Sequence, residues 1–146
     1  MKVTIGCDHG ALALKESVKK VLAELGMEID DIGTYTEDSI DYPDIAEEVC
    51  AAVTSGKSEQ GVVLCGTGIG ISIAANKIKG IRCALCGDVF SARMARAHNN
   101  ANVLALGGRV LGPGLAGEIV RAFFTQEFEG GRHERRVGKI MALENK

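Results

Sequence analysis

The sequence predicts one three-layer α/β domain: a five-stranded parallel sheet, helices on both faces, and a further helix at the C-terminus. Three observations carry this. Short β-branched runs alternate with amphipathic stretches along the chain, the pattern of repeated βα units. One of those runs, residues 61–65, is apolar on both faces, as a strand covered on both sides must be. Finally, the 146 residues, 46% of them hydrophobic and 25% charged, suit one domain that buries its core without staples.

The elements follow in order. Val3-Thr4-Ile5 opens as a strand. Residues 11–25 read as a helix, because Leu14, Val18, Val21, Leu22 and Leu25 recur at helical spacing with Lys15, Glu16, Lys19 and Lys20 opposite them. Gly26 stops that helix. Residues 27–32 form a second strand, and 33–41 a polar loop. Pro43 suits a first helical turn, and Ile45, Val49, Ala52 and Val53 carry the helix to Gly56. The third strand, 61–65, runs into Gly66-Thr67-Gly68-Ile69-Gly70-Ile71-Ser72, then a helix through Ile78. Strand 81–86, helix 89–98, strand 103–106 and helix 114–124 follow, and residues 132–143 form the last helix. The sum is a Rossmann-like sheet with right-handed crossovers.

Composition excludes several classes of function. No run approaches ~18 apolar residues, so no membrane span is expected. The first residues, MKVTIGCDHG, lack an apolar export region. A net charge of -2 argues against a dedicated nucleic-acid binder. Five cysteines, an odd number without an export signal, indicate reduced thiols in the cytoplasm.

Ligands of such sheets bind beyond the strand C-termini. There the sequence places Cys7-Asp8-His9-Gly10, Cys65-Gly66-Thr67-Gly68, Gly87-Asp88 and Gly107-Gly108-Arg109. The glycine loop could cradle an anion with backbone N–H groups at a helix N-terminus, or be only a tight turn. It does not fit a dinucleotide fingerprint well, since its third glycine position is Ile71, although Asp88 lies where a ribose-binding acid would. It lacks the Gly-Lys-Ser/Thr of a phosphate-binding Walker loop. A cysteine phosphatase would need Arg at Ile71. A fourth reading makes Cys65 a base: a helix N-terminus and N–H donors favour thiolate, and the same donors stabilise an oxyanion on a neighbouring carbonyl. That pairing is what proton abstraction next to a carbonyl requires.

The other candidates are weighed against plain alternatives. Cys50 and Cys83 are read as packing. Cys83 and Cys86 lie in one strand and face opposite ways, so they form no metal or redox pair. Cys7 is placed to line the site. His9 and His98 stand at element ends on the expected ligand side. Arg132 and Arg136, spaced i, i+4, share one helix face and suit a phosphate, or only solvent.

Together these segments resemble the type B ribose-5-phosphate isomerases, in the family that includes galactose-6-phosphate isomerase subunits. The resemblance rests on Gly6-Cys7-Asp8-His9, Asp41-Tyr42-Pro43, the run from Cys65 to Lys77, Gly80-Ile81-Arg82, His98-Asn99-Asn100-Ala101-Asn102-Val103-Leu104, Gly108-Arg109 and Glu129-Gly130-Gly131-Arg132-His133. It implies interconversion of ribose 5-phosphate and ribulose 5-phosphate through a cis-enediolate, without metal or organic cofactor. By the family pattern Cys65 moves the proton between C2 and C1, and the loop from Gly66 through Gly68, Gly70 and Ile71 to Ser72 supplies amides to the enediolate. Thr67 meets substrate oxygens, and Asp8 and His98 assist ring opening. His9, Arg132, Arg136 and Arg109 hold phosphate, and Tyr42 and Asn99 contact substrate. Ile71 stands where a cysteine-lacking branch has a Glu base, so the thiolate version is implied. The resemblance also implies a homodimer, or a tetramer built from two such dimers, whose sites are shared across the interface, the segment from His98 to Arg109 coming from the partner.

Overall fold

The computed structural model describes residues 1–146. The strands are β1 (Lys2–Cys7), β2 (Glu28–Asp31), β3 (Gln60–Cys65), β4 (Cys83–Leu85) and β5 (Val103–Gly107). The helices are α1 (Leu12–Glu24), α2 (Tyr42–Thr54), α3 (Ile69–Asn76), α4 (Val89–Ala97), α5 (Pro113–Thr125) and α6 (Arg132–Ala142), with a 3-10 turn at Leu143–Asn145. All five strands run parallel in the order β2-β1-β3-β5-β4. The expected α/β class, strand number and C-terminal helix are therefore present. The chain reverses its direction of travel across the sheet between β1 and β3, and in open sheets of this kind ligands bind at the strand C-termini beside that point.

Side-chain alternation in β3 splits the core in two. Val62 and Leu64 face α1, α4 and α5, among Leu14, Val18, Leu22, Ile119 and Phe123. Val63 and Cys65 face α2 and α3, among Ile45, Val49, Ile71 and Ala75. In α1 the stripe Leu14, Val18 and Leu22 at four-residue spacing is what seats the helix. Pro43 does open the first turn of α2, where its missing N–H costs nothing.

Three expectations change. The fourth strand is only Cys83–Leu85; at Arg82 the backbone N–H turns to the Asn102 side-chain amide oxygen at 2.8 Å. Lys15, read as solvent-facing, is 1% exposed. Its ammonium is held by Asp31 Oδ1 at 2.9 Å and the Thr34 carbonyl at 2.8 Å, under the Tyr35 ring. Cys7 does not line a site: it is fully buried on the α1 side, and burial pushes its thiol up to about 11. Cys83 and Cys86 do fall in opposite cores, as the alternation requires.

Candidate active site

Cys65 ends β3 and turns toward α3, leaving its side chain 4% exposed. The chain then doubles back tightly enough for the Gly68 N–H to donate to Cys65 Sγ at 3.1 Å. Gly68 must be glycine. Its φ is +80°, and a Cβ there would stand 2.9 Å from the Leu106 carbonyl carbon. A hydrogen bond of this kind strengthens when the acceptor is charged. Thr67 Oγ1 accepts the Ile69 N–H at 3.1 Å. The amides of Gly70 and Ile71, in the first turn of α3, have no intrahelical acceptor and remain for a ligand. The Ser72 N–H bonds Gly68 O and its hydroxyl bonds Ile69 O, so Ser72 works inside the helix and its amide is not offered. The Ile71 side chain is fully buried, leaving only its backbone to contribute.

The end of β1 packs beside this loop. A Cβ on Gly10 would lie 3.1 Å from the Gly66 backbone. Asp8, 6% exposed, accepts the Gly10 N–H at 2.8 Å. His9 Nδ1 accepts the Ile40 N–H at 3.3 Å, so a neutral ring carries its proton on Nε2. Tyr42 lays its phenol end against Gly70: a Cβ there would meet the ring at 2.6 Å and the hydroxyl at 2.7 Å. The Arg109 guanidinium lies over Gly66, 3.3 Å from the position of a Cβ. Asp8, His9, Tyr42, Cys65 and Arg109 thus gather at one edge of the sheet.

His98, Asn99, Arg132 and Arg136 do not join them. Helix α4 runs back against the strand direction, so His98 at its C-terminus lies where β5 begins. The five residues of β5 separate the two edges by about 15 Å at the rise of a parallel strand. The expectation that His98 stands on the ligand side of its own chain is therefore corrected. The segment from His98 to Arg109 is also split, its end beside Cys65 and its start at the far edge.

The far edge carries its own constellation. The His98 and His133 rings stack with centroids 4.0 Å apart and planes 8° from parallel. Glu129 reaches both, 3.8 Å from His98 Nε2 and 3.9 Å from His133 Nε2. Its backbone N–H is fixed to Ala97 O at 3.0 Å. Desolvation lowers the His133 pKa below its usual 6.5, and the neighbouring His98, Arg132 and Arg136 add to this against Glu129. The ligating atoms of His98, Glu129 and His133 lie within 4.8 Å of one another. Parallel rings, however, send their lone pairs side by side instead of toward one ion. Arg132 and Arg136 stand exposed on α6 one turn apart. A cavity of about 600 Å³ opens nearby, between α3 and the C-terminal turn, lined by Arg82, Asn99, Ile140 and Leu143 among others.

Glu129 and His133 were assigned no role from the sequence. Their i, i+4 spacing was visible, but their convergence on His98 arises from the α5–α6 connection. Asp88 caps α4, accepting the Ser91 N–H at 2.7 Å, and is no ribose ligand in waiting. Of the other thiols, burial pushes Cys50 up to about 12 and Cys86 up to about 11, and raises Cys83 too.

Residues 3–140 match the model of the Ribose/Galactose Isomerase family. The chain is 46% identical to ribose-5-phosphate isomerase B of Escherichia coli, over 99% of this chain and 97% of that protein. It is 45% identical to D-erythrulose-4-phosphate isomerase of Pectobacterium atrosepticum, over 96% of this chain and 93% of that one. The solved structure of Clostridium thermocellum ribose-5-phosphate isomerase B superimposes with a TM-score of 0.97 at 52% identity, covering 99% of this chain and 98% of that chain. With the family match spanning residues 3–140 and the fold shared with a solved relative, the chain belongs to the ribose/galactose isomerase family.

Proposed function

We propose that this chain, acting as one domain over residues 1–146, interconverts D-ribose 5-phosphate and D-ribulose 5-phosphate with Cys65 as the base. The observation that carries the reading is the Gly68 N–H hydrogen bond to Cys65 Sγ beside the free amides of Gly70 and Ile71. Base and oxyanion donors are then adjacent, as enolisation requires.

The sugar enters as a furanose. Asp8 and His98 together supply the base that takes the anomeric hydroxyl proton and the acid that protonates the ring oxygen, and the C1–ring-oxygen bond breaks to give the aldehyde. The Cys65 thiolate then removes the C2 proton. The electron pair moves into a C1–C2 double bond and leaves a cis-enediolate charge on O1, facing the Gly70 and Ile71 amides. Thr67 stands beside the same oxygens. Transfer of the O2 proton to O1 and return of the thiol proton to C1 complete the ketose. His9, Arg132, Arg136 and Arg109 neutralise the phosphate, and Tyr42 and Asn99 contact the chain of carbons. In this reading no group outside the protein takes part.

The reading needs a homodimer, because the Cys65 edge and the His98 edge of one chain lie on opposite sides. A second copy brings its His98, Asn99, Arg132 and Arg136 to this chain's Cys65. Ile69, Ile73, Leu85, Phe90 and Val110 surround the Cys65 edge and are exposed, an apolar collar suited to a second copy. No helix is long and apolar enough to cross a membrane, and five free cysteines suit a reducing compartment, which we read as the cytoplasm.

Cys65→Ala is the test. Turnover of ribose 5-phosphate should fall by orders of magnitude while the melting temperature stays close to that of the parent. Near-normal turnover would remove the thiolate base.

A further inference from the structure

We propose that Arg82 is a positioning residue for the reaction, holding the turn that carries His98 and Asn99 in register with α6. Arg82 lies between α3 and β4, far in sequence from that turn. Its Nε donates to the Asn99 carbonyl and the Asn100 carbonyl, both at 3.2 Å, and one Nη donates to the Asn100 carbonyl at 2.8 Å. The other Nη meets Met141 Sδ of α6 at 3.2 Å. One planar guanidinium therefore ties the end of α4 to the helix that bears Arg132 and Arg136.

The turn needs such a tie. The last carbonyls of α4 have no partner within the helix. Asn100 sits at φ +46°, a left-handed conformation that carries a steric cost outside glycine. Arg96 secures the inner side, bonding Asn100 Oδ1 at 3.1 Å and the Ala101 carbonyl. Arg82 secures the outer side, where His98 is about a third exposed and Asn99 is exposed. The Arg82 backbone is locked as well: its N–H donates to Asn102 Oδ1 at 2.8 Å, and its carbonyl accepts the Asn102 N–H at 3.0 Å. Lysine cannot substitute, because a single ammonium does not present a planar fork to two carbonyls and a thioether at once.

This inference rests on the isomerase reading above and on its use of His98. Its test is a double-mutant cycle in the full-length protein, read with ribose 5-phosphate. Arg82→Lys should lower kcat about tenfold through displacement of His98, with little change in melting temperature. In a His98→Asn background the same change should alter kcat by less than about twofold, since the group it positions is gone. Arg82→Gln, which keeps a planar donor, is a second arm should the lysine variant fold poorly. A purely structural Arg82 would instead lower activity by the same factor in both backgrounds, and that additivity would overturn the proposal. Parent-level kcat in Arg82→Lys or in His98→Asn would overturn it too. An inactive parent protein would instead sink the isomerase reading itself.

Discussion

His133 is stacked on His98 at 4.0 Å, nearly parallel, with Glu129 touching both imidazoles. Desolvation disfavours a proton on the His133 ring, and the neighbouring His98, Arg132 and Arg136 work in the same direction. The folded-state pKa of His133 lies below its unfolded value, so the unfolded chain binds more protons between the two. Stability then falls as pH drops through about 6.5. His133→Gln should flatten that dependence. Melting temperatures of parent and variant measured from pH 7.5 to 5 decide it, and parallel curves would show that the stack carries no linkage.

Tyr42 and Gly70 make a tighter pair on the other edge. A Cβ at Gly70 would stand 2.6 Å from the phenol ring, but the atom it meets is the far end of a mobile side chain. Gly70→Ala should therefore swing Tyr42 out of the site, lowering kcat/KM with a small loss of stability. Gly68→Ala meets backbone at 2.9 Å with φ at +80°. It should cost more than the roughly 1–2 kcal/mol of a left-handed non-glycine residue. Chemical denaturation of the two variants side by side would expose an error in this ranking.

Much of this was legible because β-branched runs and helical stripes are local signals. Residues 3–5, 61–65 and 103–106 lie inside β1, β3 and β5. The insertion of β5 between β3 and β4 was not legible, because strand order is set by which helices share a face. Lys15 misled because it shares α1 with the half-buried Lys19 and the exposed Lys20; only the later Asp31 and Thr34 make its burial tolerable. The same limit explains His98. A histidine at a helix end is recognisable from sequence, but the edge of the sheet it occupies depends on the direction of the helix. For the site, the Cys65 loop was local and readable, whereas the His98–Glu129–His133 contact joins the end of α4, the α5–α6 connection and the start of α6.

The five thiols differ in what surrounds them. Cys7, Cys50, Cys83 and Cys86 are pushed upward chiefly by burial, which keeps them protonated and inert at neutral pH. Cys65 alone faces a loop of amide donors. Iodoacetamide at pH 7.5 should label Cys65 first, with activity lost in step, and ribose 5-phosphate should slow both. Peptide mapping that found Cys7 or Cys86 modified before Cys65 would contradict this assignment.

The separation of Cys65 from His98 within one chain makes a sharper demand. If a site takes Cys65 from one protomer and His98 from its partner, two damaged chains can repair each other. Cys65→Ala contributes an intact His98, and His98→Asn contributes an intact Cys65. A mixed dimer then holds one complete site and one doubly damaged site. Random pairing of equal amounts places half the dimers in this class, so the mixture should regain about a quarter of parent activity. The variants are denatured and refolded together, with each refolded alone as control. A mixture no more active than those controls would mean that each site is built within a single chain, and that His98, at the far edge of the sheet, acts elsewhere.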